Sequence, residues 1–167
     1  MNTKDLGEIQ VSYKYKSGIQ NRFKITNSSE AFKASMCVFN KHSLSIQEQF
    51  VVLYLNNSNT IIGVRNMFSG TQTGTMVDLK LVVAVGIKLF SSGVIIAHNH
   101  PSGNLKPSNN DISLTTRLKI ALELYNIKLL DHLIVSPHNK YVSLEDEGYM
   151  STLCTGGCTL SNLFKYV

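Results

Sequence analysis

The chain has 167 residues, of which 43% are hydrophobic and 16% are charged, and this composition suffices to build the core of one globular domain. Its formal net charge is +5, but the basic residues are scattered, so the charge permits acidic partners or nucleic acid without requiring either. No stretch approaches the roughly 18 to 20 apolar residues of a membrane span, residues 1–10 lack the apolar core of a secretory signal, and an odd set of three cysteines suits a reducing compartment, so we expect a cytoplasmic protein.

The first part of the chain predicts a strand, a helix and a second strand. Residues 1–27 alternate weakly between polar and apolar side chains, which indicates an early strand or hairpin. Ser28 or Ser29 can cap a following helix, whose apolar residues recur at helical spacing and which should end near Asn40. The apolar and β-branched run Gln47–Leu55 then predicts a central strand covered on both faces.

The rest of the chain alternates between predicted helices and strands. After an Asn-rich turn at 56–59, the elements are a returning strand over 60–64 and 66–68, a helix over 76–90, a buried strand over 94–97, a helix over 109–125, and strands over 129–135 and 141–144. The resulting order of β, β, α, β, α, β, β predicts an α/β (α+β) fold, in which helices flank a mixed β-sheet.

The residues that follow the short buried strand suggest a metal site. They read His98-Asn99-His100-Pro101-Ser102-Gly103, then Pro107-Ser108 and Asp111. In extended backbone His98 and His100 project from the same side, because side chains alternate with a period of two. Gly103 and Pro107 let the loop turn back, so that Asp111 in the first turn of the next helix can reach the same point. Two imidazoles and a carboxylate predict one bound Zn²⁺.

Three protein ligands leave a fourth position for water, which is typical of catalytic zinc. A general base must then lie within reach of that water, and Glu48 is the best candidate, since the strand that it opens has no other reason to carry a charge. Ser108 admits two interpretations that can both hold: it caps the helix together with Asp111, or its hydroxyl donates to an oxyanion. The sequence therefore favours hydrolytic chemistry.

Two further pairs of residues carry weaker signals. Asp131 and His132 lie in one strand with side chains on opposite faces, so one of them could orient a ligand histidine; the alternative is an ordinary hydrogen bond in the core. Cys154 and Cys158 could hold a second metal, but a spacing of four without nearby Cys or His favours free thiols.

The motif resembles the JAMM (MPN+) metalloprotease signature of Glu, His-x-His-Pro and Ser-x-x-Asp, and it resembles bacterial RadC-like proteins more closely. The RadC-like residues also include Leu129-Leu130-Asp131-His132-Leu133-Ile134-Val135. The resemblance extends from about Ile46 to Met150. It implies an MPN/JAMM metal-binding domain over 46–150 with the cytidine-deaminase-like JAB/MPN architecture, preceded by a strand and helix segment over 1–45 and followed by a tail over 151–167.

The resemblance also implies a function for each site residue. His98, His100 and Asp111 would bind zinc, Glu48 would be the acid/base, and Ser108 would assist the oxyanion. Because JAMM relatives cleave peptide or isopeptide bonds, it implies a zinc metallopeptidase that acts on a peptide or protein substrate. RadC-like proteins also carry a DNA-repair label, so the alternative is a non-catalytic metal-binding module of DNA metabolism. Residues 1–45 are too short and strand-like for the helical-hairpin region of longer relatives, which disfavours DNA binding.

Overall fold

The fold is built on a five-stranded sheet, and the computed structural model describes residues 23–69 and 77–152. The strands are β1 (Gln49–Leu55), β2 (Ile61–Ser69), β3 (Gly93–Asn99), β4 (Lys128–Val135) and β5 (Tyr141–Ser143). The helices are α1 (Ser28–Met36), α2 (Leu79–Lys88), α3 (Asn109–Glu123) and α4 (Tyr149–Thr152), and a 3-10 turn spans Lys41–Ser43.

The strands lie in the order β2-β1-β3-β4-β5. β1 is antiparallel to both β2 and β3, β3 and β4 are parallel, and β5 returns antiparallel to β4. The parallel pair is connected through α3, because parallel neighbours need a crossover rather than a tight turn. The mixed sheet flanked by helices confirms the predicted α/β (α+β) class.

Helices cover both faces of the sheet. On one face α2 and α3 pack against a core that includes Val52, Tyr54, Val94, Ile96, Leu118 and Leu122. On the other face α1 packs against a core that includes Ala31, Phe32, Val51, Leu53, Ile95 and Ala97. β1 and β3 are buried along their whole length, which explains why both read as apolar runs rather than as alternating strands.

The bounds of the first helix differ from those predicted. The N-cap is Asn27, whose side chain accepts a hydrogen bond from the backbone N–H of Glu30, so neither Ser28 nor Ser29 caps the helix. The helix ends at Met36, because Asn40 is extended, caps the 3-10 turn and binds Gln49 through both backbone polar groups. The predicted end near Asn40 is therefore wrong.

Other bounds move by a few residues. The returning strand is continuous over 61–69, and Arg65, where a break was predicted, pairs in register with Val52 of β1. α2 starts only after its cap, Asp78, and α3 ends two residues early. Most of the strand predicted within 1–27 and the region of Cys154 and Cys158 lie outside the described residues. Among the described helices, none has the length and apolar character that crossing a membrane requires.

Candidate metal centre

The end of β3 presents two imidazoles on one side. His98 is the penultimate residue of the strand, and the N–H of His100 donates to the carbonyl of Val135 at 2.9 Å, so the extended backbone continues past the strand end. The Nε2 atoms of His98 and His100 are consequently 2.9 Å apart. The His-x-His spacing produces convergence because the chain is extended at both residues.

A loop and a helix cap bring the carboxylate to the same point. Gly103 has φ +77°, a left-handed conformation that favours glycine, and its N–H donates to the carbonyl of His100 at 2.9 Å. The chain then enters α3 at Ser108. Asp111 places Oδ1 3.1 Å from His98 Nε2 and Oδ2 3.5 Å from His100 Nε2. Within residues 23–69 and 77–152, this is the only group of three His, Cys, Asp or Glu side chains that could hold a metal. Its three donor atoms all lie within 4.8 Å of one another.

The three side chains favour a positive charge between them. The Nδ1 of His100 lies 2.6 Å from the carbonyl oxygen of Asn104, which can only accept, so Nδ1 carries hydrogen and Nε2 faces the site. The hydrogen bond to Asp111 raises the pKa of His100 against the opposing effect of burial. Burial raises the pKa of the Asp111 carboxyl, but hydrogen bonds from His100 and His98 outweigh it and hold that pKa well below its usual value. A proton or a metal cation satisfies this arrangement.

Glu48 approaches the same site from the segment that leads into β1. It immediately precedes β1, and the antiparallel register that pairs Phe50 with His98 places it opposite His100. Glu48 is half-buried, and together with His100 and Ser102 it lines a surface cleft. Its negative charge adds to the rise in the pKa of His100 that Asp111 causes first. The structure thus brings Glu48 to the edge of the metal centre.

Asn99, between the two histidines, anchors the segment that carries Glu48. Its Nδ2 donates to the carbonyl oxygens of Leu44 at 2.7 Å and Gln47 at 3.0 Å, and its Oδ1 accepts from the N–H of Gln49 at 2.7 Å. Asn99 is fully buried. Sequence reasoning missed this role; the only signal was a polar residue in a buried strand.

Ser108 forms a complete capping box with Asp111. Its hydroxyl accepts from the N–H of Asp111 at 3.1 Å, while its N–H and its hydroxyl each donate to Asp111 Oδ2 at 2.7 Å. The capping interpretation is therefore present in the structure. Because Oδ2 already receives both Ser108 donors, Oδ1 is the oxygen left to a metal, and the oxyanion role of Ser108 stays a prediction.

Of Asp131 and His132, the two candidates for orienting a ligand histidine, only His132 contacts one, namely His98. Its ring is fully buried, with Nε2 2.8 Å from His98 Nδ1 and Nδ1 2.6 Å from the hydroxyl of Thr115. Asp131 turns away and accepts from the Ser143 hydroxyl at 2.8 Å and from two backbone N–H groups. Burial lowers the pKa of His132 and raises that of Asp131. Thr115 was missed, although it lies one helical turn after Asp111.

Comparison with known proteins places this geometry in a wider group. The RadC-like JAB domain family matches residues 25–149. The chain is 42% identical over 125 residues to a UPF0758 protein of Flavobacterium johnsoniae, covering 75% of this chain and 53% of that protein. It is 38% identical over 135 residues to a UPF0758 protein of Staphylococcus haemolyticus, covering 81% and 58% respectively. The chain thus spans a little over half the length of these curated relatives.

Proposed function

Because the chain belongs to the RadC-like JAB domain family, we propose that it is a zinc-dependent hydrolase of the metallopeptidase or isopeptidase type. The observation that carries the proposal is the convergence of His98, His100 and Asp111, of which His100 also lines a surface cleft. Glu48, which immediately precedes β1, lines the same cleft. An open site with three ligands and one nearby carboxylate is what hydrolysis by a metal-activated water requires.

The donor set fits zinc. Two imidazole nitrogens and one carboxylate oxygen suit Zn²⁺, whereas Mg²⁺ and Ca²⁺ prefer oxygen ligands alone. The atoms that would hold it are Nε2 of His98, Nε2 of His100 and Oδ1 of Asp111. When bound, Zn²⁺ would polarise the scissile carbonyl and lower the pKa of water to about 7.

The proton transfers fall to Glu48. Its carboxylate would accept a proton from the attacking water and donate it to the leaving nitrogen, as one general acid/base serves both halves of an amide hydrolysis. Support comes from its position before β1, opposite His100, where it is half-buried but still reaches the cleft. Ser108 would assist the oxyanion if its hydroxyl breaks the hydrogen bond to Asp111 Oδ2 when the carboxylate binds the metal. The hydroxyl could then donate to the oxyanion instead.

The site can reach the backbone of a peptide or protein. The side chains of His100 and Asp111 are 14% and 15% exposed, and the cleft that His100 lines runs past Ser45 and Ile46. Ile46 is 63% exposed, so an apolar surface lies next to the reacting centre. A cleft that is open at its rim can admit an extended chain, which supports a protein substrate.

The experiment compares metal content with cleavage in matched variants. We expect wild-type protein to bind one Zn²⁺ and to cleave members of a peptide and isopeptide library. Glu48→Gln should keep the metal and lose at least about 100-fold in cleavage, since it removes the group that moves the proton. His98→Ala should lose the metal, and Glu123→Gln, on the exposed end of α3, should change neither property.

Two outcomes would contradict the proposal. Failure of the wild-type protein to retain metal after zinc loading would remove the basis of the hydrolase. Full activity in Glu48→Gln would remove its proposed acid/base. A third pattern would instead agree with a non-catalytic metal-binding module: the wild-type protein binds zinc but cleaves nothing in the library, and the His98→Ala variant does not fold.

A further inference from the structure

A continuous line of hydrogen bonds leads from one ligand residue back to another. It starts at Nδ1 of His98, which lies 2.8 Å from Nε2 of His132. Nδ1 of His132 lies 2.6 Å from the hydroxyl of Thr115, and that hydroxyl donates to the backbone carbonyl of Asp111 at 2.6 Å. The line therefore crosses from β3 through β4 to α3 and ends on the residue whose carboxylate faces His98.

The far end of the line fixes the direction of every bond. A backbone carbonyl can only accept, so the hydroxyl of Thr115 must give its single hydrogen to Asp111. The same oxygen then has only lone pairs to offer to His132. Nδ1 of His132 must consequently carry a hydrogen, and the 2.6 Å contact is a bond from the imidazole to the hydroxyl.

The burial of His132 determines its charge state, and through it the hydrogen position on His98. His132 is fully buried, and its ring nitrogens face an imidazole and a hydroxyl rather than a carboxylate, so the ring is neutral because desolvation opposes a charge there. A neutral imidazole with hydrogen on Nδ1 has a lone pair on Nε2. His98 must therefore donate from its own Nδ1, so the neutral form of its ring, the form that binds a metal, has its lone pair on Nε2, the atom that faces His100 and Asp111.

We propose that His132 and Thr115 are positioning residues that hold His98 in the single tautomer able to bind a metal through Nε2. The inference rests on the metal site proposed above and goes beyond it in assigning a function to two buried residues that would contact the ligand residues but not the metal itself. Outer partners of this kind raise the basicity of a ligating imidazole and fix the orientation of its ring. The line also ties the first turn of α3 to the strand that carries the histidines, so ring and carboxylate are set together.

The first test reads the tautomer directly in the unmodified protein. Long-range ¹H–¹⁵N correlation spectra of ¹⁵N-histidine-labelled protein, recorded without metal, distinguish a protonated ring nitrogen from one with a lone pair. We expect His132 to carry hydrogen on Nδ1 only. A His132 ring with hydrogen on Nε2 would overturn the proposal, whatever the protein cleaves. Signals of His42 and His138 are identified by replacing each with Gln.

The second test measures zinc affinity by competition with a chromophoric chelator. Thr115→Val removes the hydroxyl that accepts from His132, and we expect it to weaken zinc binding by about 10- to 100-fold. Thr115→Ser keeps the hydroxyl and should stay within a few-fold of wild type. The matched control is Thr116→Val, because Thr116 is the next residue of α3 and makes the same kind of bond, to the carbonyl of Ile112 at 2.8 Å, without contacting His132.

The outcomes separate this inference from the proposed hydrolase. Equal losses in Thr115→Val and Thr116→Val, or no loss in Thr115→Val, would show that the hydroxyl does not act through His98. A wild-type protein with the expected tautomer and the expected pattern of zinc affinities supports the inference even if no peptide is cleaved. Should Thr115→Val fail to fold, the tautomer of His132 in the wild-type protein still decides.

Discussion

At the scale of single residues, each donor of the candidate centre is held by a second partner. The carbonyl of Asn104 holds His100, Ser108 holds one oxygen of Asp111, and His132 holds His98. A ligand fixed on its far side loses little further rotamer freedom when a metal binds, so these contacts prepare the site before any ion arrives. The partners are a backbone carbonyl, a helix cap and a buried imidazole, which means that ordinary structural groups orient the ligands.

Ser108→Ala should destabilise the metal-free protein by about 1 kcal/mol, the typical cost of losing an N-cap side chain. It removes the acceptor of the Asp111 N–H and one of the two donors to Asp111 Oδ2. Urea unfolding in the presence of a chelator measures the change. Ser108→Thr keeps a capping hydroxyl and should lie close to wild type; an alanine variant as stable as wild type would show that the cap contributes nothing.

The pH dependence of stability follows from His100 and Asp111. The pKa of His100 is raised from 6.5, so its contribution is complete below pH 6.5 and disappears as the pH rises through the higher, folded value. The pKa of Asp111 is lowered from 3.8, so its contribution is present above pH 3.8 and is lost only as the pH falls through the lower, folded value. The metal-free protein should therefore gain most from this pair between pH 3.8 and pH 6.5.

Thermal unfolding in chelator across this pH range provides the measurement. The melting temperature should fall as the pH rises above 6.5, and Asp111→Asn should flatten that decline because it removes the main cause of the raised pKa of His100. Added Zn²⁺ should restore stability at alkaline pH, since the metal takes the place of the proton. A melting temperature that rises with pH in the absence of metal would contradict the assignment.

Whether the sequence predicts the position of a site residue depends on whether local spacing or strand pairing determines where its side chain points. The convergence of His98, His100 and Asp111 follows from local spacing, so the motif alone predicts it. Local spacing does not show which of Asp131 and His132 contacts His98, because the pairing of β4 with β3 shifts register between Val94 and Ile95. Simple alternation from Leu129, which faces α2 and α3, would put Asp131 on that face; the shift puts His132 there instead.

At the scale of elements, the segment before β1 depends on β3 for its position. Asn99 makes three hydrogen bonds to that segment, and alternation along β3 directs its side chain to the face opposite His98. One strand therefore carries the candidate ligand His98 on one face and the anchor of the Glu48 segment on the other. The two functional groups share a rigid support although they are distant in sequence.

Asn99→Ala should separate metal binding from cleavage. It leaves buried backbone groups of Leu44, Gln47 and Gln49 without a partner, at about 1–3 kcal/mol for each group left unsatisfied. Zinc affinity should stay within a few-fold, whereas cleavage should fall by about 100-fold if Glu48 moves by an ångström.

The control for Asn99→Ala is Asn66→Ala, which removes a single bond to Gln49 at 3.0 Å from an exposed position. Urea unfolding, chelator competition and the peptide assay give the three values for each variant. Loss of zinc binding in parallel with cleavage would mean that Asn99 acts on the ligands rather than on Glu48.

Element bounds were harder to foresee than element types. The apolar spacing of α2 predicts a helix despite Gly86, which has a low helix propensity. The structure gives the reason for the glycine: it is buried, and a Cβ there would lie 3.3 Å from both Ile127 Cδ1 and Ser91 Oγ. Periodicity reports which residues are apolar, but the distance at which a helix approaches its neighbours depends on contacts distant in sequence, such as that between α2 and Ile127.

At the scale of the whole molecule, α1 belongs to the same packed unit as the sheet. Phe32 stacks on Tyr141 with ring centroids 4.6 Å apart, and the hydroxyls of Ser28 and Tyr141 are 3.3 Å apart. Phe32→Ala should therefore lower the free energy of unfolding by about 3–5 kcal/mol, as expected for a buried aromatic side chain. Phe90→Ala is the control, because Phe90 is 88% exposed and its removal should change stability by no more than about 0.5 kcal/mol.

The same variants test whether residues 1–45 and 46–150 unfold separately. Tyrosine fluorescence and far-UV circular dichroism should give coincident denaturant transitions for wild type and for Phe32→Ala. Two separated transitions, or a Phe32→Ala variant as stable as wild type, would mean that α1 is an independent unit.

The order of elements along the chain was predictable, while the order of strands in the sheet was not. Local patterns identify β1 and β3 as strands. Only the complete sheet shows that these two strands are neighbours, although β2 and α2 separate them along the chain. Such pairing depends on complementary burial of both faces, which no single window of sequence contains. The site is visible early because it lies at one strand end, and its supports are hidden because they come from neighbouring strands and a helix.

The alignment of β3 with β4 limits how this domain can change its length. Ile96 pairs with His132, so the ligand histidine and its orienting neighbour lie on adjacent strands with a fixed offset. Deleting or inserting one residue in either strand would send the following side chains to the opposite face and separate the two rings. Indels should be tolerated in a turn outside the strand pairing, such as 136–140, while β3 and β4 can diversify by substitution alone.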